Sequence, residues 1–508
     1  MSQILLPGLF QNNMMLQRDK PLHIWGTAPE AAEITVQLED TRVTCPVSNG
    51  RFSCLLPAQD AGREKTLFFF TGQEPEPALC IEHISIGDIW MACGQSNMEY
   101  FLRYDAHWND MKIAPRNRDI HMYNCPRIAF EGQIREQPEC GYWFGEGDPA
   151  WPLFSAPGYS FARSLQPDLN VPVGVIGCNW GGTPACAWMD EEHLSVPPLT
   201  VFRQEYEKET AGIPAGELEK SSMEAWKFED SYRHQLEWRA MMYGLTREEQ
   251  QLWEKEHQTD PFVPMGPYHH YRPSGLYHTM IQKIAPFTVK GFLWYQGESD
   301  SGHAEIYDQT MTSLIDCFRK TWQDESLPFL FVQLAPFGVW LGCTGENYAI
   351  LRSRQETVSK TVPGTGMVSI MDLGMYEDIH PKFKMEVGQR LALLAKGKVY
   401  GSPILCESPE IAGLSRNGLQ LTLTFHHSGS GLYADEYGPD SFHILQNGSE
   451  LEITGFTAEQ DSVTLTLKEA SDAPLAVSYA EEDYCQVHIW NSAGLPVKPF
   501  HCGTEGKL

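Results

Sequence analysis

Four short stretches carry residue types that acyl transfer needs, and each stands just past an apolar run. Gly94-Gln95-Ser96-Asn97-Met98 follows Ile89-Trp90-Met91-Ala92. A serine at a strand end, entering a helix N-terminus, presents its hydroxyl, and backbone N–H groups there can hold a developing oxyanion. Read alone, such a serine is more often a helix N-cap than a nucleophile. Position 98 is Met, so the stretch is not the Gly-x-Ser-x-Gly elbow of the α/β-hydrolase fold. A rival, Gly158-Tyr159-Ser160-Phe161-Ala162, matches four of the five elbow positions. The residues before it do not form a strand, and Ser160 reads as the first turn of a helix.

Asn179-Trp180-Gly181-Gly182-Thr183 follows a second apolar run. A glycine pair lets backbone amides come close to a ligand, as an oxyanion hole requires, although by itself it is an ordinary strand-to-helix turn. Trp294-Tyr295-Gln296-Gly297-Glu298-Ser299 follows a third. Gln296 can donate its side-chain amide to the same oxyanion, while Glu298 reads as a structural hydrogen-bond acceptor rather than an acid or base. Asp378-Ile379-His380-Pro381 follows a fifth run and precedes the helical stretch Val387–Lys396. A carboxylate beside a histidine fixes the tautomer and stabilises the imidazolium formed when a serine proton moves. With 17 histidines an acid–histidine neighbour arises easily by chance, so position supplies the weight. Gln95, Asn179, Trp180 and Glu298 are further candidates for substrate contact. Trp188, Trp294 and Tyr295 could wall a small pocket or serve as core aromatics.

The elements that must position these residues are the apolar runs themselves. Ile84–Ala92, Val171–Ile176, Gly291–Tyr295, Phe329–Leu334 and Met367–Met371 are nearly continuous, the pattern of parallel strands buried on both faces. Separated by helix-compatible segments, they predict an α/β domain over 84–400 with active residues just past the strand C-termini. Before it, residues 1–83 read as a β module: Ile34, Val36 and Leu38 alternate with polar residues, and Asn49-Gly50 marks a hairpin. After it, residues 401–508 read as a second β module of sandwich type, with Leu419, Leu421, Leu423 and Phe425 alternating, then Val463, Leu465 and Leu467. Residues 190–272 interrupt the α/β pattern as a charged helical insertion, with Glu217–Lys227 and Arg247–His257 its clearest stretches. It reads equally as a lid, a homo-oligomer contact or a solvated decoration.

Composition narrows the partners. A chain of 508 residues exceeds one ordinary core, and 42% hydrophobic with 20% charged residues describes a folded protein. Lysine and arginine total 38 against 66 acids, a net charge of −28 that repels phosphate backbones and argues against nucleic acid. No run approaches the roughly 18 apolar residues of a membrane span. The opening Met1–Pro7 has no basic segment, so no signal peptide is expected and the expected location is cytoplasmic. The 13 scattered cysteines, without a Cys-x-x-Cys pair, are expected as reduced thiols. Phosphate-cradling and His-Glu-x-x-His zinc motifs are absent. The pairs His269-His270 and His426-His427 read as surface residues rather than metal ligands.

In this order the four blocks resemble the SGNH hydrolase superfamily, and more closely the sialate O-acetylesterase family and the related acetylxylan esterases. The terminal stretches Leu6-Pro7-Gly8-Leu9-Phe10, Met15-Leu16-Gln17-Arg18 and Asn491–Pro496 extend the resemblance over nearly the whole chain, with 190–272 its weakest part. It implies an SGNH-like (flavodoxin-like) parallel sheet between helices and a carbohydrate O-acetylesterase that needs no cofactor. It makes Ser96 the nucleophile and His380 the base, with the oxyanion held by the Ser96 amide, a Gly181 or Gly182 amide and Gln296. The wider superfamily places its acid three residues before the histidine, here Glu377, whereas the sialate subgroup motif points to Asp378. The implied substrate is an O-acetylated sugar, sialic acid or alternatively acetylated xylan-type oligosaccharide. A carbohydrate-binding protein on a retired esterase scaffold is the alternative from another class.

Overall fold

A computed structural model describes residues 4–72 and 74–503. The first three residues of the Met1–Pro7 run, part of the reading of a leaderless N-terminus, lie outside the described residues. The chain divides into two units. The first holds Met1–Ser299, Gln309–Phe329 and Lys384–Gln389, and the second Asp300–Asp308, Leu330–Phe383 and Arg390–Leu508.

In the first unit the N-terminal strands include, after the strands Met15–Gln17 and Leu22–Thr27, β1 (Glu33–Leu38), β2 (Thr41–Pro46), β3 (Arg51–Leu56) and β4 (Gly62–Thr71). Asn49 and Gly50 both take positive φ, 50° and 73°, the conformation that a two-residue hairpin turn demands and Asn-Gly supplies cheaply. The turn folds β3 back towards β2 and joins Cys45 to Cys54 in a disulfide. The expectation of thirteen unpaired thiols is corrected here. Spacing alone did not reveal the pair, because the hairpin rather than the Cys-to-Cys count brings the two sulfurs together.

The scaffold's central strand is β5 (Leu79–Gly94), sixteen residues long. Exposed and buried residues mix over its first part, Leu79–His83; β4 pairs along Leu79–Ile86, and Met15–Gln17 pairs in parallel with Ser85–Gly87. From Ile84 onward every residue is buried, which is why the sequence changes texture there. This second part pairs in parallel with β7 (Val173–Asn179) on one side and β8 (Gly291–Tyr295) on the other, and β7 pairs with β6 (Ile120–Asn124). The helix α1 (Ser96–Glu99) leaves the end of β5, and α2 (Ala156–Leu169) precedes β7. The insertion is helical, as its composition predicts: α3 (Thr200–Thr210), α4 (Ala215–Glu229), α5 (Tyr232–Gly244) and α6 (Arg247–Glu256). Its four longer helices are far from uniformly solvated, since Phe202, Leu218, Trp226, Met241 and Tyr243 are buried.

In the second unit β10 (Thr365–Val368) lies beside β9 (Phe329–Val332), with the Gln333 amide donating to the Val368 carbonyl at 2.9 Å. The C-terminal region forms two four-stranded sheets. Leu421, Leu423, Val463 and Leu465 of one and Ile444, Val477, Tyr479 and Phe500 of the other share one core, the sandwich predicted from the alternation. Met371, at the root of the loop leading to Asp378, belongs to that core. Among the described residues no helix is long and apolar enough to cross a membrane.

Candidate active site

Strand register brings three of the four blocks to one level. Gly94 at the end of β5 pairs with Asn179 at the end of β7 and with Tyr295 at the end of β8. The three loops therefore leave the same sheet edge, where a parallel sheet offers a ligand its strand C-termini. Close approach is enforced by glycine: Gly94 has φ 137°, and a Cβ there would stand 2.2 Å from the Tyr295 carbonyl oxygen.

Ser96 is the first residue of α1, with Gln95 in the N-cap position, so the helix-cap alternative for Ser96 does not describe it. Gly181 lies against it, and a Cβ on Gly181 would be 3.4 Å from the Ser96 Cβ. The two glycines differ in what their amides do. The Gly181 N–H donates to Glu99 Oε2 at 2.5 Å, while Gly182 takes the left-handed φ of 76°. Gln296 is fully buried and its Nε2 donates to the Thr183 carbonyl at 3.3 Å.

The remaining candidates work within the scaffold. Gln95 Oε1 accepts from the Ser299 amide at 3.2 Å and the Gly297 amide at 3.5 Å, tying the first block to the third. Asn179 Nδ2 donates to the Ala92 carbonyl at 3.1 Å. Glu298 is an acceptor, as the sequence suggests: Asn97 Nδ2 donates to its Oε1, and Asn97 Oδ1 in turn accepts from Lys384 Nζ at 2.5 Å. The Lys384 ammonium lies over the Tyr100 and Tyr295 rings, each at 5.1 Å. Trp180 is buried, with the Arg135 guanidinium 4.8 Å from its ring centre and the His270 ring stacked at 4.6 Å. His269 and His270 are thus half-buried rather than fully exposed. They stack on each other at 4.7 Å, and burial pushes the pKa of His269 down to about 4 and lowers that of His270 too. The rival Ser160 is wholly buried inside α2, with its hydroxyl donating to the Met385 carbonyl at 2.5 Å.

The acid–histidine block lies in the second unit. His380 is buried, its Nδ1 is 3.5 Å from Asp378 Oδ1, and its amide donates to that same oxygen at 2.8 Å. Lys382 Nζ meets the other carboxylate oxygen at 2.7 Å. Burial alone would raise the Asp378 pKa, but the hydrogen bond and charge of His380, with Lys382, bring it down to about 2. Glu377 is exposed, so the geometry pairs His380 with Asp378. Trp340 meets the His380 ring edge-on at 5.0 Å.

Sequence reading missed three residues around Ser96, namely Glu99, Lys384 and Arg239. Only Glu99, three residues after the serine and so on the same helix turn, left a local signal. Among the described residues one group could hold a cation: Asp190, His193 and Cys317 bring ligand atoms within 4.8 Å of one another. There His193 Nδ1 meets Asp190 at 2.6 Å and its Nε2 meets Asp316 at 3.2 Å, while Asp190 caps the short helix Glu191–Leu194.

A family model described as carbohydrate esterase, sialic acid-specific acetylesterase, matches residues 253–396. The rat sialate O-acetylesterase is 25% identical over 82% of this chain and 77% of its own length, and the human one 23% over 96% and 90%. Among solved structures, a carbohydrate acetylesterase from Xanthomonas citri is 26% identical with a TM-score of 0.71, covering 99% of this chain and all of its own.

Proposed function

This chain belongs to the sialate O-acetylesterase family, and from that premise we propose that it deacetylates O-acetylated sugars, sialic acids first, through a serine acyl-enzyme. Ser96 Oγ attacks the acetyl carbonyl while His380 takes its proton, with Asp378 holding the imidazole and stabilising its charged form. The tetrahedral oxyanion is met by the Ser96 amide, the Gly182 amide and Gln296 Nε2. Gly182 is chosen over Gly181 because the Gly181 N–H is already given to Glu99. The sugar alkoxide leaves with the proton from His380, and water, deprotonated by the same histidine, then releases acetate.

The observation that supports this reading best is the common register of Gly94, Asn179 and Tyr295. It delivers the serine, the glycine pair and Gln296 from one sheet edge. Sialic acid is taken as the substrate because the rat and human relatives are sialate O-acetylesterases.

The test compares wild type with Ser96→Ala for acetate release from a chromogenic acetate ester, from O-acetylated sialic acids and from acetylated xylo-oligosaccharides. The expected result is release from sialic acids above xylo-oligosaccharides in wild type and none in the variant. Equal rates in both proteins would remove Ser96 from the mechanism, and preference for xylo-oligosaccharides would reassign the substrate.

A further inference from the structure

Glu99 and its surroundings link the helical insertion to the glycine pair. Its Oε2 receives the Gly181 N–H at 2.5 Å, and its Oε1 receives Arg239 of α5 through Nε at 2.6 Å and Nη2 at 2.5 Å. Arg239 Nη1 donates back to the Gln235 carbonyl at 3.1 Å, which fixes the guanidinium to its own helix. Tyr243, one turn on, donates to the Ser96 carbonyl at 3.4 Å. Glu99, Arg239 and Arg127 are all nearly inaccessible, and the second arginine stands 3.9 Å from Glu99 with Glu139 behind it at 2.8 Å. Two guanidinium nitrogens on one carboxylate oxygen, with the Gly181 N–H on the other, fix the carboxylate's direction as well as its charge. A surface decoration has no need of such a pair.

We propose, resting on the acyl-enzyme reading above, that Arg239 and Glu99 are positioning residues. Arg239 orients the Glu99 carboxylate, Glu99 holds the Gly181 amide, and the peptide that follows is thereby set to aim the Gly182 N–H at the acetyl oxygen. The insertion is then part of the catalytic apparatus. Neither residue touches substrate. Removing Arg239 leaves Glu99 buried with Arg127 as its remaining cation, facing Tyr243 and, beyond Arg127, Glu139 and Cys140. Burial pushes a carboxyl towards its neutral form, and at present Arg239 and Arg127 together overcome that and hold Glu99 below its ordinary range. A neutral Glu99 is a weaker acceptor for the Gly181 N–H. The loss therefore falls on transition-state stabilisation, and it acquires a pH dependence the wild type lacks.

The experiment is steady-state kinetics of Arg239→Met, Arg239→Lys and Glu99→Gln on a neutral chromogenic acetate ester across pH 5–9. Thermal melting confirms that each variant folds, and Ser96→Ala is run alongside. The expected result for Arg239→Met is a kcat lower by roughly 30-fold or more, a KM within about threefold, and a new acid limb in the kcat profile. Arg239→Lys should recover part of the rate, and Glu99→Gln, which keeps a neutral acceptor, should show the lowered rate without the new limb. A folded Arg239→Met with wild-type kcat and profile overturns the proposal. So does a uniform loss that lysine does not rescue and pH does not modulate. If Arg239→Met fails to fold, Arg239→Lys and Glu99→Gln decide by the same criteria. An active Ser96→Ala signals instead that the serine reading has failed.

Discussion

The Ser96 loop and the Asp378–His380 loop are held by different physics. Ser96 and the glycine pair sit on loops whose roots are neighbouring positions in three parallel strands, and their polar groups close on each other in a buried network. The carboxylate in that network, Glu99, finds its cation 140 residues away, in the insertion. The Asp378–His380 loop has a carboxylate paired locally, to a histidine two residues on and a lysine four residues on. What fixes that loop is its root. Met371 is packed in the sandwich core, and Asp372 takes Arg390 at 2.7 Å through both oxygens and Trp490 Nε1 at 2.9 Å. Ser96 is thus positioned by a sheet edge and His380 by a loop rooted in a β-sandwich. The proposal above gives the insertion, which composition left as a lid, a homo-oligomer contact or a decoration, a positioning role, while the sandwich anchors the root of the Asp378–His380 loop.

Breaking each side in turn sharpens the contrast. His380→Ala removes the only proton acceptor assigned to the reaction, and kcat for the acetate ester should fall roughly 10⁴-fold or more with folding intact. Gly182→Ala and Gln296→Ala attack the oxyanion donors, each with an expected kcat loss of about 10²–10³. The glycine change is the harsher, because its Cβ would stand 1.8 Å from the Tyr271 hydroxyl oxygen at a φ that L residues disfavour. Asp372→Asn leaves the Arg390 guanidinium without its anion in a largely buried place. Denaturant melts should show about 3 kcal/mol of lost stability, and the rate should fall with the loosened loop. Asp378 offers the mildest change. Its folded pKa near 2 lies below the unfolded value of 3.8. It therefore contributes stability that is fully present above about pH 4 and is lost as pH falls towards 2, on the order of 2 kcal/mol. In Asp378→Asn that acid-dependent component should be missing from melts taken across pH 2–5.

Much of this was legible in the residues. Runs such as Ile84–Ala92 and Gly291–Tyr295 read as strands buried on both faces, and they are. The reason is physical: a strand covered on both sides has no position left for polar residues. Blocks just past those runs fell where a parallel sheet delivers them. What stayed hidden depends on distant segments meeting. Nothing near Arg239 announces Glu99, and the charged texture of 217–257 masks its buried face. His269 and His270 read as surface residues because a polar name carries no burial, and the cover over His270 comes from Trp180 and Trp226. Cys45 and Cys54 pair through a turn that was read correctly while its consequence for the sulfurs was not.

The central claim is that the acetyl group passes through Ser96. Rapid quenching of wild-type enzyme during turnover of an activated acetate ester, followed by mass mapping of the peptide containing Gly94–Met98, tests it directly. The account predicts one acetyl group on Ser96, formed faster than acetate is released and absent from Ser96→Ala. Acetate release with that peptide unmodified throughout, or an equally competent acetyl-enzyme in Ser96→Ala, would contradict it.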